Sequence, residues 1–293
     1  MSDLPDPGPP PRSRLVDWHC HSYWSDGGGS VAQLAAEAAS RGVTLGVSDH
    51  AFVDNHRLRT RAQLEAYLAD LAQHDVLRGI EISIGDRGQY EDAARRVAAG
   101  QLPLDGVAPA GGLLDRFDYV IASLHDVRAA DGIVYSAPYL NWRAGLYPAY
   151  RPSLARYDRR AYMDSLLAAL DDTLDRWPVT ILGHFCLLPE LASDAADHDP
   201  EPDPSPDAVA AAWLDAVLRR CIQDGVAIEL NSKSRVPHVS LARRALQLGA
   251  RFSLGSDAHE LRRAGDVSYG LRLIHELGIP PERVLTADDL RRK

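Results

Sequence analysis

The chain has 293 residues, 45% of them apolar and 25% charged, and a formal net charge of −9. At roughly 150 residues per domain the length suits two small domains or one α/β barrel, and either can bury a core without disulfides or metals to hold it. The acidic balance argues against a sequence-independent grip on nucleic acid or an anionic membrane, and the three scattered cysteines, Cys20, Cys186 and Cys221, exclude a disulfide framework and point to a reduced, cytoplasmic setting.

Residues 1–13 carry Pro5, Pro7, Pro9, Pro10 and Pro11 and no apolar core. They read as a Pro-rich disordered tail and not as a signal peptide. No later stretch approaches the roughly 20 apolar residues of a membrane span. Short apolar runs then alternate with helical patterns. The runs are Arg14–Trp18, Leu45–Ser48, Gly79–Ile84, Tyr119–Ser123, Val179–Gly183, Val226–Leu230 and Phe252–Gly255, which makes seven candidate strands. The helical patterns cover 30–41, 60–76, 90–100, 159–176, 207–224 and 239–249, with Asp, Ser or Thr near their starts as caps. Buried strands separated by helices predict a parallel sheet. Seven such units predict an α/β fold closed into a barrel, so 14–293 reads as one domain.

Two segments break the rhythm. Residues 126–157, with Tyr135, Tyr139, Trp142, Tyr147, Tyr150 and Tyr157, read as an ordered lid or as local packing. Residues 189–206 are acidic and Pro-rich and read as a solvated spacer.

The strands run into residues that ligate metals. The first leads into His19-Cys20-His21, where alternate residues of an extended segment face one side, and Asp26 follows on the next loop. The second ends in Ser48-Asp49-His50, the third carries Glu81, the fourth ends at His125 and the fifth at His184. The seventh ends in Ser256-Asp257-Ala258-His259, and the sixth in Asn231. Any one of these residues alone is an ordinary core or capping residue. Their recurrence at six of seven strand ends, the face where barrel enzymes build their sites, points to a metal centre. His56, His74, His198, His238 and His275 lie away from strand ends and read as structural or solvated. Asp49 reads either as an acceptor orienting a ligand or as a loop cap.

In this order the motifs His19-Cys20-His21 with Ser25-Asp26-Gly27, Ser48-Asp49-His50, Gly79-Ile80-Glu81, Phe117 to His125, Ile181-Leu182-Gly183-His184 and Leu254 to His259 resemble the PHP family, named for polymerase and histidinol phosphatase. The resemblance spans about residues 14–285 and extends to Tyr269-Gly270 and Pro281 to Leu285. It implies a distorted (β/α)7 barrel with three divalent ions, Mn, Fe or Zn. By position, His19, His21, Glu81 and Asp257 hold one ion. Glu81 bridges to a second, completed by His125 and His184, and Asp26, His50 and His259 hold the third. Glu81, Asp257 and His259 are the expected catalytic residues.

Such a centre brings about +6 against about −3 from Asp26, Glu81 and Asp257, so a pocket in an acidic protein attracts phosphate. The expected function is hydrolysis of a small phosphomonoester, histidinol-phosphate-like, by a metal-activated hydroxide. Lys233, Arg235, Arg128, Arg143 and Asn231 are candidates for binding the substrate, with solvated surface roles as the alternative for the basic ones. Ser83 departs from the acidic residue that histidinol-phosphatase-like members commonly carry two positions after this Glu, which points toward another small organophosphate. The other readings are a phosphodiesterase acting on a small or cyclic diester or a nucleic-acid end, and a PHP domain without catalysis.

Overall fold

The computed structural model describes residues 15–51, 58, 61–84, 113–128, 134–136, 158–184 and 207–290. Seven strands form one sheet: β1 (Val16–Asp17), β2 (Thr44–Val47), β3 (Leu77–Ser83), β4 (Tyr119–Ser123), β7 (Ile181–Gly183), β8 (Ala227–Asn231) and β9 (Phe252–Gly255). They pair in that order, every pair parallel. The two edges meet. The Trp18 N–H donates to the Leu254 carbonyl at 2.9 Å, the Asp257 N–H donates to the His19 carbonyl at 2.7 Å, and Cys20 bridges Ala258 in parallel. The sheet therefore closes as the expected (β/α)7 barrel.

The α-helices among the described residues are α1 (Val31–Ser40), α2 (Arg61–Leu71), α3 (Arg159–Arg176), α4 (Ala208–Gln223), α5 (Val239–Leu248), α6 (Ser268–Leu277) and α7 (Ala287–Leu290). The sequence starts three of them where the caps fall. Ser30 caps α1 in a reciprocal box with Gln33, and Asp158 and Asp207 accept the N–H of Ala161 and Ala210 at the starts of α3 and α4. Helix α6 lies outside the predicted set. Its Gly270 lowers helix propensity, yet a Cβ there would sit 2.4 Å from Leu254 Cδ2. The glycine lets α6 lie directly against β8 and β9.

Two apolar clusters follow from strand alternation. Ile80, Ile82, Val120, Ala122, Leu182, Ile228 and Leu230 join the helices' buried faces in the larger one. Val16, Trp18, Tyr119, Ile121, Ile181 and Ala227 gather with Leu285 in the smaller one, which fills the N-terminal end of the barrel. A solid floor leaves the C-terminal strand ends as the face on which polar groups can collect.

Residues 126–157 contribute an antiparallel pair, β5 (Asp126–Arg128) with β6 (Val134–Ser136). The rest of the expected lid, the 189–206 spacer, the 90–100 helix and the 1–13 tail lie outside the described residues. Among the described residues Cys20 and Cys221 are buried free thiols, and burial pushes the Cys221 thiol up to about 12. No helix among them is long and apolar enough to cross a membrane.

Candidate metal centre

All nine residues expected to hold metal meet at the C-terminal ends of the strands, with Glu81 in the middle. Its Oε1 lies 3.3 Å from His19 Nε2, 3.5 Å from His125 Nε2 and 3.5 Å from His184 Nε2. Its Oε2 lies 2.6 Å from His50 Nδ1 and 3.7 Å from His21 Nε2. Asp257 faces it from β9, with Oδ1 3.4 Å from His21 Nε2 and Oδ2 3.3 Å from His184 Nε2. Asp26 places Oδ2 3.1 Å from His259 Nε2 and Oδ1 3.7 Å from His50 Nε2.

Four groups of close donor atoms result among the described residues: His19, His21 and Glu81; His50, Glu81 and His125; His21, Asp26, His50 and His259; and His19 and His184 with Glu229. The first is fully buried, whereas the Asp26 side chain of the third is about one-third exposed. The centre thus opens to solvent on the Asp26 side. His184 and Asp257 reach it with left-handed backbones, φ 48° and 50°. Each such non-glycine residue costs on the order of 1 kcal/mol or more, a strain that recurs at functional sites.

Divalent ions fit this donor set. His19 Nε2, His21 Nε2, His184 Nε2 and both Glu81 oxygens are buried without a hydrogen bond. Native proteins rarely leave so many buried polar atoms unsatisfied in one place. Imidazole nitrogens mixed with carboxylate oxygens suit Zn, Mn or Fe. Without metal the protonation states divide. Burial and the neighbouring His50 and His259 hold the His21 imidazole well below its ordinary pKa, and burial lowers that of His125 to about 3. Against burial, Glu229, Glu81 and Asp257 hold His19 well above it, and Glu81 holds His50 above it. Burial works to raise the Glu81 and Asp257 carboxyls, but histidines around both, and Lys233 beside Asp257, hold them well below the usual range.

The supporting contacts divide the remaining expectations. Asp49 caps the first loop: it accepts the backbone N–H and the hydroxyl of both Ser22 and Ser25 at 2.6–3.0 Å. Ser83 places its hydroxyl 2.9 Å from His125 Nδ1, so it orients a ring expected to hold metal. A Ser83→Ala substitution is expected to weaken metal binding about tenfold, the low end for such partners, because His125 is partly exposed and water can replace the hydroxyl. Metal titration of the variant checks this.

Among the candidates for substrate contact, Lys233 extends from the end of β8 to 3.3 Å from Asp257 Oδ1 and 3.0 Å from His259 Nδ1. Arg235 follows it, exposed and with φ 52°. Asn231 is buried, and its amide donates to Glu229 and Asp257 while its Oδ1 accepts the Ser234 N–H. Arg128 lies on β5, and Arg143 falls outside the described residues. The sequence points to Glu229 only through the run Glu229-Leu230-Asn231, as a likeness to histidinol-phosphatase-like chains, and gives Asp17 no role. Glu229 is fully buried against His19, and Asp17 accepts backbone N–H groups beneath the site.

A closed seven-stranded parallel barrel with a histidine–carboxylate cluster across its C-terminal mouth defines a metal-centre barrel. The model of the PHP domain family matches residues 17–233, and the chain belongs to that family. It is 26% identical over 288 residues to a probable phosphatase of Edwardsiella ictaluri, covering 94% of this chain and 91% of the relative. It also resembles the crystal structure of histidinol phosphate phosphatase from Lactococcus lactis subsp. lactis, solved with zinc, L-histidinol and phosphate. The TM-score is 0.54 at 18% identity, over 90% of this chain and 94% of that one. At that identity the likeness is one of fold.

Proposed function

We propose that the protein is a metal-dependent phosphomonoesterase for a small, histidinol-phosphate-like organophosphate, working with three divalent ions, Mn, Fe or Zn. The observation that carries this reading is the convergence of six imidazoles and three carboxylates on one barrel mouth, with buried donor atoms that protein groups leave unsatisfied. His19, His21, Glu81 and Asp257 would hold one ion, Glu81, His125 and His184 a second, and Asp26, His50 and His259 the third. Bound there, divalent ions supply charge for phosphoryl oxygens and a water acidic enough to attack phosphorus at neutral pH. The name of the Edwardsiella relative, a probable phosphatase, supports phosphate-ester hydrolysis, and that of the Lactococcus structure supports a histidinol-phosphate-like substrate.

The chain's own residues set the sign of the substrate. Glu229 adds a fourth carboxylate and Lys233 returns one positive charge, so the pocket with three ions carries about +3. A phosphomonoester dianion offsets more of that charge than a diester monoanion does. Lys233, at the rim and about two-fifths exposed, can swing from Asp257 to a phosphoryl oxygen. Asp257 and His259 flank that position and keep the ammonium directed inward. The buried free thiols of Cys20 and Cys221 suit a reducing cytoplasmic compartment.

The test is a comparison of p-nitrophenyl phosphate with its bis ester and with oligonucleotides, each with Mn, Fe and Zn. Preference for the monoester is the expected result, and preference for the bis ester would replace this reading with a diesterase. Histidinol phosphate compared with other monoesters at low concentration then reads specificity. Lys233→Met should raise KM for the monoester about tenfold, one charge-assisted contact, while kcat changes less. A drop in kcat at unchanged KM would move Lys233 away from substrate binding.

A further inference from the structure

We propose that Glu229 is a positioning residue that fixes two metal-ligand histidines at once. The role rests on the metal-centre reading above. Glu229 projects from β8, between β7 and β9, into a fully buried position. Its Oε1 lies 2.8 Å from His19 Nδ1, and its Oε2 accepts the His184 backbone N–H at 2.7 Å and the Asn231 amide at 3.2 Å.

Each contact has a consequence for a ligand. A His19 ring that donates Nδ1–H to Glu229 keeps its lone pair on Nε2, the atom that faces Glu81. The tautomer and the ring orientation are set together. The contact to His184 holds a left-handed residue at φ 48°, a conformation that a non-glycine residue keeps only under constraint. One carboxylate therefore aims a side chain from the end of β1 and pins a backbone at the end of β7. Asn231 extends the link to Asp257 Oδ2 at 3.3 Å.

The barrel makes room for this carboxylate. A Cβ on Gly255 would sit 1.9 Å from Glu229 Oε1 and 3.0 Å from His19 Cβ. His19, His184 and Glu229 also lie close enough to suggest an ion of their own. The hydrogen bonds argue otherwise: Glu229 Oε2 already accepts the His184 backbone N–H and the Asn231 amide, and Oε1 lies against His19 Nδ1, whereas both Glu81 oxygens face imidazole nitrogens alone.

The experiment is a zinc titration of the full-length wild type, Glu229→Gln and Glu229→Ala, together with thermal unfolding of each metal-free protein. Gln has the same shape but cannot accept from both His19 and His184. The expected result for Glu229→Gln is a 10–100-fold loss of zinc affinity, with a metal-free protein that still unfolds cooperatively and melts only about 2–4 °C below the wild type, the effect of one N–H left without an acceptor. Glu229→Ala should bind more weakly still, and excess zinc should restore most of the turnover of Glu229→Gln. Wild-type affinity in Glu229→Gln overturns the proposal. So does metal-free Glu229→Gln that unfolds or melts far below the wild type, since Glu229 is then structural. A wild type that takes up no zinc, manganese or iron overturns the metal reading itself, an outcome distinct from either.

Discussion

Replacing Glu81 by Gln is expected to lower turnover of an aryl phosphate about 10³-fold or more and to leave the purified protein short of metal. Every ring that faces Glu81 presents a nitrogen to one of its two oxygens, at 2.6–3.7 Å. An amide keeps the shape but removes the negative charge and offers one oxygen in place of two. Its NH2 must then face imidazole nitrogens that should keep lone pairs for metal. Charge stabilisation by bound ions is worth several kcal/mol in such sites, and each 1.36 kcal/mol is tenfold in rate, hence the factor. Metal per chain and kcat, measured on the same preparation, check the prediction. Full metal content with more than a tenth of wild-type turnover would remove Glu81 from the centre.

The legibility of the site in the sequence has a physical basis. Parallel strands place their C-terminal residues on one face, so residues far apart in sequence gather there because each ends a strand. His19, His50, His125, His184 and His259 follow that rule, and reading the strand ends finds them all. Residues that act through side-chain reach do not announce themselves in this way. Glu229 sits inside the run Val226–Leu230, and its partner His19 is 210 positions away. Only the closure of the barrel brings them together. Helix α6 escaped for a local reason: Gly270 argues against a helix until the close approach to Leu254 explains it. Ser83 was legible as a departure from a motif, while its contact to His125 depends on β3 and β4 lying side by side with Ser83 opposite Ser123.

Asp17→Ala is expected to cost about 3 kcal/mol or more and to lower the melting temperature by about 6–12 °C, at roughly 1 kcal/mol or more per orphaned donor and 2–4 °C per kcal/mol. Asp17 Oδ1 accepts the N–H of His19 at 3.2 Å and of Ser256 at 2.8 Å, and Oδ2 accepts that of Gly265 at 2.9 Å. It therefore ties the end of β1 to the loop that carries Asp257 and His259. Alanine leaves three buried N–H groups without an acceptor. Asparagine keeps the shared acceptor but turns an NH2 toward Gly265, so Asp17→Asn should fall between wild type and alanine. The gap between wild type and asparagine should also depend on pH. Burial pushes the Asp17 carboxyl up to about 6, against the pull of the Ser256, Gly265 and His19 contacts. A folded-state pKa above the unfolded value means that folding takes up a proton between about pH 4 and 6, so this contribution to stability fades as pH rises through about 6. Asparagine has no such proton. Thermal melts of both proteins at pH 5 and 7 should show the wild-type advantage shrinking at the higher pH, and an advantage that grows instead would mean that Asp17 is ionised throughout and supports the loop as a carboxylate.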